Sequence, residues 1–148
     1  MTDQFTTEVD LPAPPAEVFR HLTDPAAMIR WMGQHAVLKP VPGGTFEIDI
    51  NGVPVRGRYL EVDPPHRLLV SWGVAGNAVM PPGATQVEFT LSPIPEGTRL
   101  RLVHRSLPPD QAQVHAIGWR HFLARLTSAA AGDDPGPDPW EQQATAAP

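Results

Sequence analysis

Six histidines, His21, His35, His66, His104, His115 and His121, carry the widest range of chemistry in this chain. Imidazole ligates metals when neutral and moves protons near neutral pH. Neither role finds the spacing it needs. There is no H-E-x-x-H and no pair of histidines at i, i+4, so no metal site is expected. His115 and His121 are six apart, which sets them on different faces of a helix. Ser71, Ser92, Ser106 and Ser128 stand outside any G-x-S-x-G. Gly43-Gly44 reads as a turn, because no G-x-G-x-x-G or P-loop surrounds it. Glu47 and Asp49 alternate with Phe46, Ile48 and Ile50, which puts them on a solvated face. Glu61 and Asp63 read as strand-end and turn residues rather than an acid–base pair. Arg56 and Arg58 flank Gly57 on one face, and a solvated face outweighs an inward carboxylate clamp. The chain has no cysteine, so disulfides, thiol catalysis and Cys-based zinc sites are excluded. No catalytic residue and no cofactor is expected.

Two histidines stand apart. His104 continues the apolar series Leu100 and Leu102, and His115 opens the stripe of Trp119, Phe122, Leu123 and Leu126. Both are expected to point between a sheet and a helix, near the mouth of that space. There they serve either as polar anchors in an apolar pocket or as histidines satisfied at the rim of a packed core. His21 and His121 fall on the polar sides of their helices, and His35 and His66 in turns or on the surface. Trp31, Met32, Trp72, Met80, Trp119 and Phe122 either line the pocket or fill the core. Gly57 and Gly118 lie inside regular elements, where glycine costs about 0.5–1 kcal/mol relative to alanine. Such positions point to close backbone approach, strand bending or room for something else.

The elements that must position these residues follow from periodicity. Phe5 to Leu11 alternates as a strand. Pro14 and Pro15 start a helix with Glu17 in its first turn and Val18, Phe19 and Leu22 on one face. Asp24 is the expected N-cap of a second short helix running through Met28, Ile29, Trp31 and Met32. From Phe46 to His104 alternating runs are divided by turns, Asn51-Gly52 being the clearest hairpin signal. The Gly/Pro loop 73–84 is expected to gate the pocket. Asp110 can cap a final helix that fades between Ala129 and Gly132. Residues 133–148 are Pro- and Asp-rich with one large apolar residue, Trp140, and read as a disordered tail. The result is a single α+β domain over residues 1–132, with one long helix available to cover the sheet.

Bulk properties narrow the partners. Over 148 residues the formal net charge is −5 with no basic run, a poor match to nucleic acid. No stretch approaches the ~18 apolar residues of a membrane span, and the N-terminus lacks a signal-peptide pattern. A cytoplasmic protein is the expectation.

Five segments in order resemble the START-like superfamily, also called SRPBCC or helix-grip. They are PAPPAEVFRHLTDP with Trp31 after it, PGGTF at 42–46, GRYLEVDPPHRLLVSW at 57–72, TQVEFTLSPIPEGTRLRLVH at 85–104 and HAIGWRHFLARL at 115–126. Within the superfamily they resemble the branch of the activator of heat-shock-protein-90 ATPase C-terminal domain. The resemblance covers Phe5 to Ala130. It implies a curved antiparallel sheet wrapped around a long C-terminal helix, two short helices after the first strand, and a cavity that often takes a hydrophobic small molecule. It brings no catalytic signature.

The leading expectation is therefore a hydrophobic or aromatic ligand held by Trp31, Trp72, His104, His115, Trp119 and Phe122, with no catalysis. A second is a protein-interaction module resembling the chaperone activator, with the chaperone as partner. A third is a cyclase or hydrolase of the same fold using His104 or His115 as acid or base. The lack of a base–orienter pair ranks binding ahead of catalysis.

Overall fold

The computed structural model describes residues 2–141. The order is β1 (Asp3–Leu11), α1 (Pro15–Thr23), α2 (Pro25–Met28), β2 (His35–Leu38), β3 (Thr45–Ile50), β4 (Val53–Asp63), β5 (Arg67–Val74), β6 (Thr85–Ile94), β7 (Gly97–Leu107) and α3 (Ala112–Ala130). All seven strands form one curved antiparallel sheet in the order β1-β7-β6-β5-β4-β3-β2. From β2 to β7 each strand pairs with its neighbour in sequence, and β1 closes the far edge against β7. This is the α+β helix-grip arrangement expected from the sequence.

The turns explain the register. Asn51 and Gly52 both have positive φ, 52° and 85°, as a two-residue hairpin of type I′ requires, and Ile50 pairs with Val53 across them. Alternation then sorts the faces. Phe46, Ile48 and Ile50 turn inward, while Glu47 and Asp49 turn outward to Arg56, whose Nη1 lies 2.9 Å from Asp49. Leu68, Val70, Val87, Phe89, Leu91, Leu100 and Leu102 complete the buried face. Each such side chain contributes about 1.5–3 kcal/mol by leaving water. The 19-residue α3, about 28 Å long at 1.5 Å per residue, covers that face with Trp119, Phe122, Leu123 and Leu126.

Several local expectations are corrected. The second helix ends at Met28, and Ile29 to Met32 form turns that still bury Trp31 and Met32. Asp24 occupies the N-cap position without a side-chain cap, its carboxylate paired to Arg20 instead. Gln111, not Asp110, precedes α3. Strand β2 was not anticipated; its half-buried edge pattern carries little periodicity. His21 is 1% exposed rather than on a polar face. Its Nδ1–H donates to the Glu17 carbonyl at 2.9 Å, and the turn after α2 folds over it, the Trp31 indole N–H donating to the His21 carbonyl at 3.0 Å. The Tyr59 hydroxyl donates to the Leu22 carbonyl at 3.0 Å and fastens this corner to the sheet.

Residues 133–141, expected to belong to a disordered tail, lie against the body. Arg125 donates to the carbonyls of Trp31 (3.1 Å) and Gly136 (2.6 Å), and Arg30 to that of Asp133 (3.0 Å). The composition of this segment is that of a disordered chain, but side chains from the body satisfy its backbone. Residues 142–148 of the expected tail lie outside the described residues. Among the described residues no helix is long and apolar enough to cross a membrane.

Candidate functional site

Between the sheet and α3 lies a cavity of about 610 Å³. Ile50 and Val55 come from the β3–β4 hairpin, Trp72 and Val74 from β5, and His115, Gly118, Trp119 and Phe122 from α3. Met32 and Trp140 complete the wall. Val53, Val114 and Ile117 also line it and are 44%, 57% and 51% exposed, so apolar residues rim an opening to solvent. Gly118 provides part of the room, because an added Cβ there would meet no other heavy atom within 4 Å. Gly57 is the opposite case: a Cβ there would overlap the Ser71 carbonyl, so that glycine permits β4 and β5 to approach.

Four of the six residues singled out in the sequence line this cavity: Trp72, His115, Trp119 and Phe122. Trp31 and His104 do not. Trp31 is wholly buried among core side chains, with its indole N–H spent on His21. His104 is also wholly buried, and its hydrogen bonds define a directed chain. The Thr85 hydroxyl gives its single proton to the Trp72 carbonyl at 2.7 Å, so its oxygen must accept from His104 Nε2 at 2.8 Å. The Trp119 indole N–H, a donor only, donates to His104 Nδ1 at 3.0 Å. The ring is thereby fixed as the neutral Nε2–H tautomer. Burial, and secondarily the nearby His115, push its pKa down to about 3. His104 lies outside the cavity lining; it accepts from Trp119 and packs against Trp72.

His115 is the polar group of the wall. Its Nδ1–H donates to the Gln111 carbonyl at 2.9 Å, which leaves Nε2 as an acceptor with no partner among the described residues. Burial lowers its pKa, outweighing the backbone hydrogen bond that favours the charged form. Asn51 is the other polar side chain of the lining, and it is engaged by Gln34 and Asp138. Among the described residues no Arg, Lys, Asp or Glu lines the cavity. The Trp72 and Trp119 rings meet at 5.3 Å, tilted by 50°. The arrangement suits an uncharged molecule with flat apolar faces and a hydrogen-bond donor.

The sequence reading missed Ile50, Val53, Val55 and Val74 as lining residues, since nothing in alternation separates a wall from a core. It also placed Trp140 outside the folded domain. Trp140 stacks on His121, centroids 3.6 Å apart and planes 7° from parallel, and reaches the cavity beside Phe122. The signal available was its isolation as the one large apolar residue in a polar segment. Residues 73–84 contribute only Val74 to the lining. That loop is laced rather than open: Val74 N–H donates to the Met80 carbonyl at 2.8 Å, and Asn77 Oδ1 accepts from the backbone N–H of Val79 and Met80.

A family model described as Activator of Hsp90 ATPase homolog 1-like protein matches residues 12–131. Among solved structures, an AHSA1-like protein of Rhizobium etli is 45% identical, with a TM-score of 0.76 over 95% of this chain and 89% of that one. A protein of Mesorhizobium loti is 28% identical, with a TM-score of 0.78 over 89% of this chain and 99% of that one. DynU16, from the dynemicin biosynthetic locus, is 27% identical with a TM-score of 0.78; it matches 92% of this chain, which spans 50% of DynU16. No curated protein matches the chain.

Proposed function

This chain belongs to the Activator of Hsp90 ATPase homolog 1-like family within the START-like superfamily, and from that premise we propose that it binds an uncharged, ring-containing small molecule between its sheet and α3. The observation that carries this reading is the cavity itself. Its volume of about 610 Å³ lies within the range of ligand sites, roughly 300–1,000 Å³, and its walls are almost wholly apolar. Exposed Val53, Val114 and Ile117 at the rim give an apolar ligand a path from solvent. Among the described residues no cation lines the cavity, and burial lowers the His115 pKa, which disfavours a carboxylate, since it would be buried without a partner. That DynU16 comes from a biosynthetic locus is in keeping with handling a small molecule.

Binding is favoured over catalysis by the same residues. His115 Nδ1 is held by a backbone carbonyl, and among the described residues no carboxylate or nucleophile lines the cavity to complete an acid–base pair. The test is a titration of the full chain with the uncharged fluorophore phenylnaphthylamine. Saturable emission enhancement at one probe per chain is expected. Gly118→Phe, which directs a ring into open space, should abolish it without lowering the melting temperature by more than a few degrees. Lack of saturable binding, or binding indifferent to Gly118→Phe, overturns the proposal.

A further inference from the structure

The segment after α3 lies beyond the residues matched by the family model, yet it contributes a wall to the cavity. Its anchor is Asp138, a carboxylate only 4% exposed. A buried charge persists only where hydrogen bonds replace water. Asp138 has three donors from three places: His121 Nε2 on α3 at 2.8 Å, Asn51 Nδ2 at the β3–β4 turn at 3.1 Å, and the backbone N–H of Trp140 at 2.9 Å. Burial alone would raise its pKa, but these bonds, that of Trp140 first, outweigh burial and hold it below the usual carboxylate range. The clasp therefore joins helix, hairpin and C-terminal segment at one point. Two residues further on, the Trp140 indole lies flat on His121 and faces the cavity beside Phe122.

We propose that Trp140 is a ligand-contacting, specificity-determining residue of this cavity, and that Asp138 is the positioning residue that sets it there. The inference rests on the ligand-binding reading above. A flat indole in the cavity wall favours a planar ring over a flexible alkyl chain, because aromatic pairs gain beyond their buried area. The family-matched body supplies an apolar cavity, and this segment selects what shape fills it.

The test compares two uncharged probes, planar phenylnaphthylamine and the alkyl alcohol dodecanol, on the full chain and its variants. Trp140→Ala should weaken phenylnaphthylamine roughly 3- to 10-fold, the size of a lost aromatic contact, and dodecanol less than about 2-fold. Trp140→Phe should keep most of the planar preference. Asp138→Asn should lower the ratio of planar to alkyl affinity toward that of Trp140→Ala, a change that general destabilisation does not produce. Should Trp140→Ala fail to fold, the ratio measured in Asp138→Asn decides. A ratio unchanged in Trp140→Ala, or in Asp138→Asn where Trp140→Ala does not fold, overturns the inference while wild-type binding leaves the ligand reading standing. A wild-type chain that takes up neither probe removes both.

Discussion

At His104 both ring nitrogens are committed inside the protein, and a proton on Nδ1 would turn the bond from the Trp119 indole into a donor–donor clash. The linkage follows from the depressed pKa. The folded state stays neutral down to about pH 3, while the unfolded histidine takes up a proton near 6.5, so the unfolded chain binds more protons in between. Stability is fully present above about pH 6.5 and falls as the pH drops toward 3, by up to about 1.4 kcal/mol per pH unit from this group. His104→Ala should cost about 2–4 kcal/mol in urea unfolding at neutral pH, because it orphans Trp119 and Thr85. It should also flatten the loss between pH 6.5 and 5; an undiminished slope would locate the acid sensitivity elsewhere. His115 acts differently, with its Nε2 free to accept from a ligand. His115→Phe should reduce the preference for naphthol over naphthalene by roughly 2- to 10-fold, one neutral hydrogen bond. Alternation and helical spacing sent both histidines inward correctly. They could not show which one would be enclosed by Thr85 and Trp119, contacts 19 and 15 residues away in sequence.

Two glycines inside regular elements look alike in the sequence and have opposite consequences. Gly118→Ala should be neutral or stabilise α3 by up to about 1 kcal/mol, since the added methyl meets nothing and alanine is the better helix former. Gly57→Ala should destabilise by more than about 2 kcal/mol, because the methyl would overlap the Ser71 carbonyl across the β4–β5 pair. Thermal unfolding of the two single variants checks both, and equal effects would contradict the strand spacing described above. The elements themselves were largely legible: β1, the β3–β4 hairpin, the strands of the meander and α3 follow from period 2 and period 3.6. The short edge strand β2 and the segment 133–141 were not. Each is ordered by what it lies against, β2 by β3 and the segment by Arg125, Asn51 and His121.

At the scale of the whole molecule, a sheet curved around one helix encloses more space than its side chains fill. A ligand that binds only this folded state stabilises it by mass action, about 2.7 kcal/mol at a hundred times its dissociation constant. For a domain of this size the melting temperature should rise by roughly 5–10 °C with saturating phenylnaphthylamine. Differential scanning calorimetry checks this, and Gly118→Phe should show no such rise. The sequence by itself determined the α+β class, the order of the elements other than β2 and the buried face of the longer strands, because these depend on local periodicity and turn chemistry; the superfamily resemblance rests on five segments in order. Only the tertiary structure decided that His104 and Trp31 are buried outside the cavity lining, that about 610 Å³ stays open beside Gly118, and that Trp140 lines one side. Those outcomes depend on side chains from separate elements meeting at one point, and the distance between them across the fold is not written in the spacing along the chain.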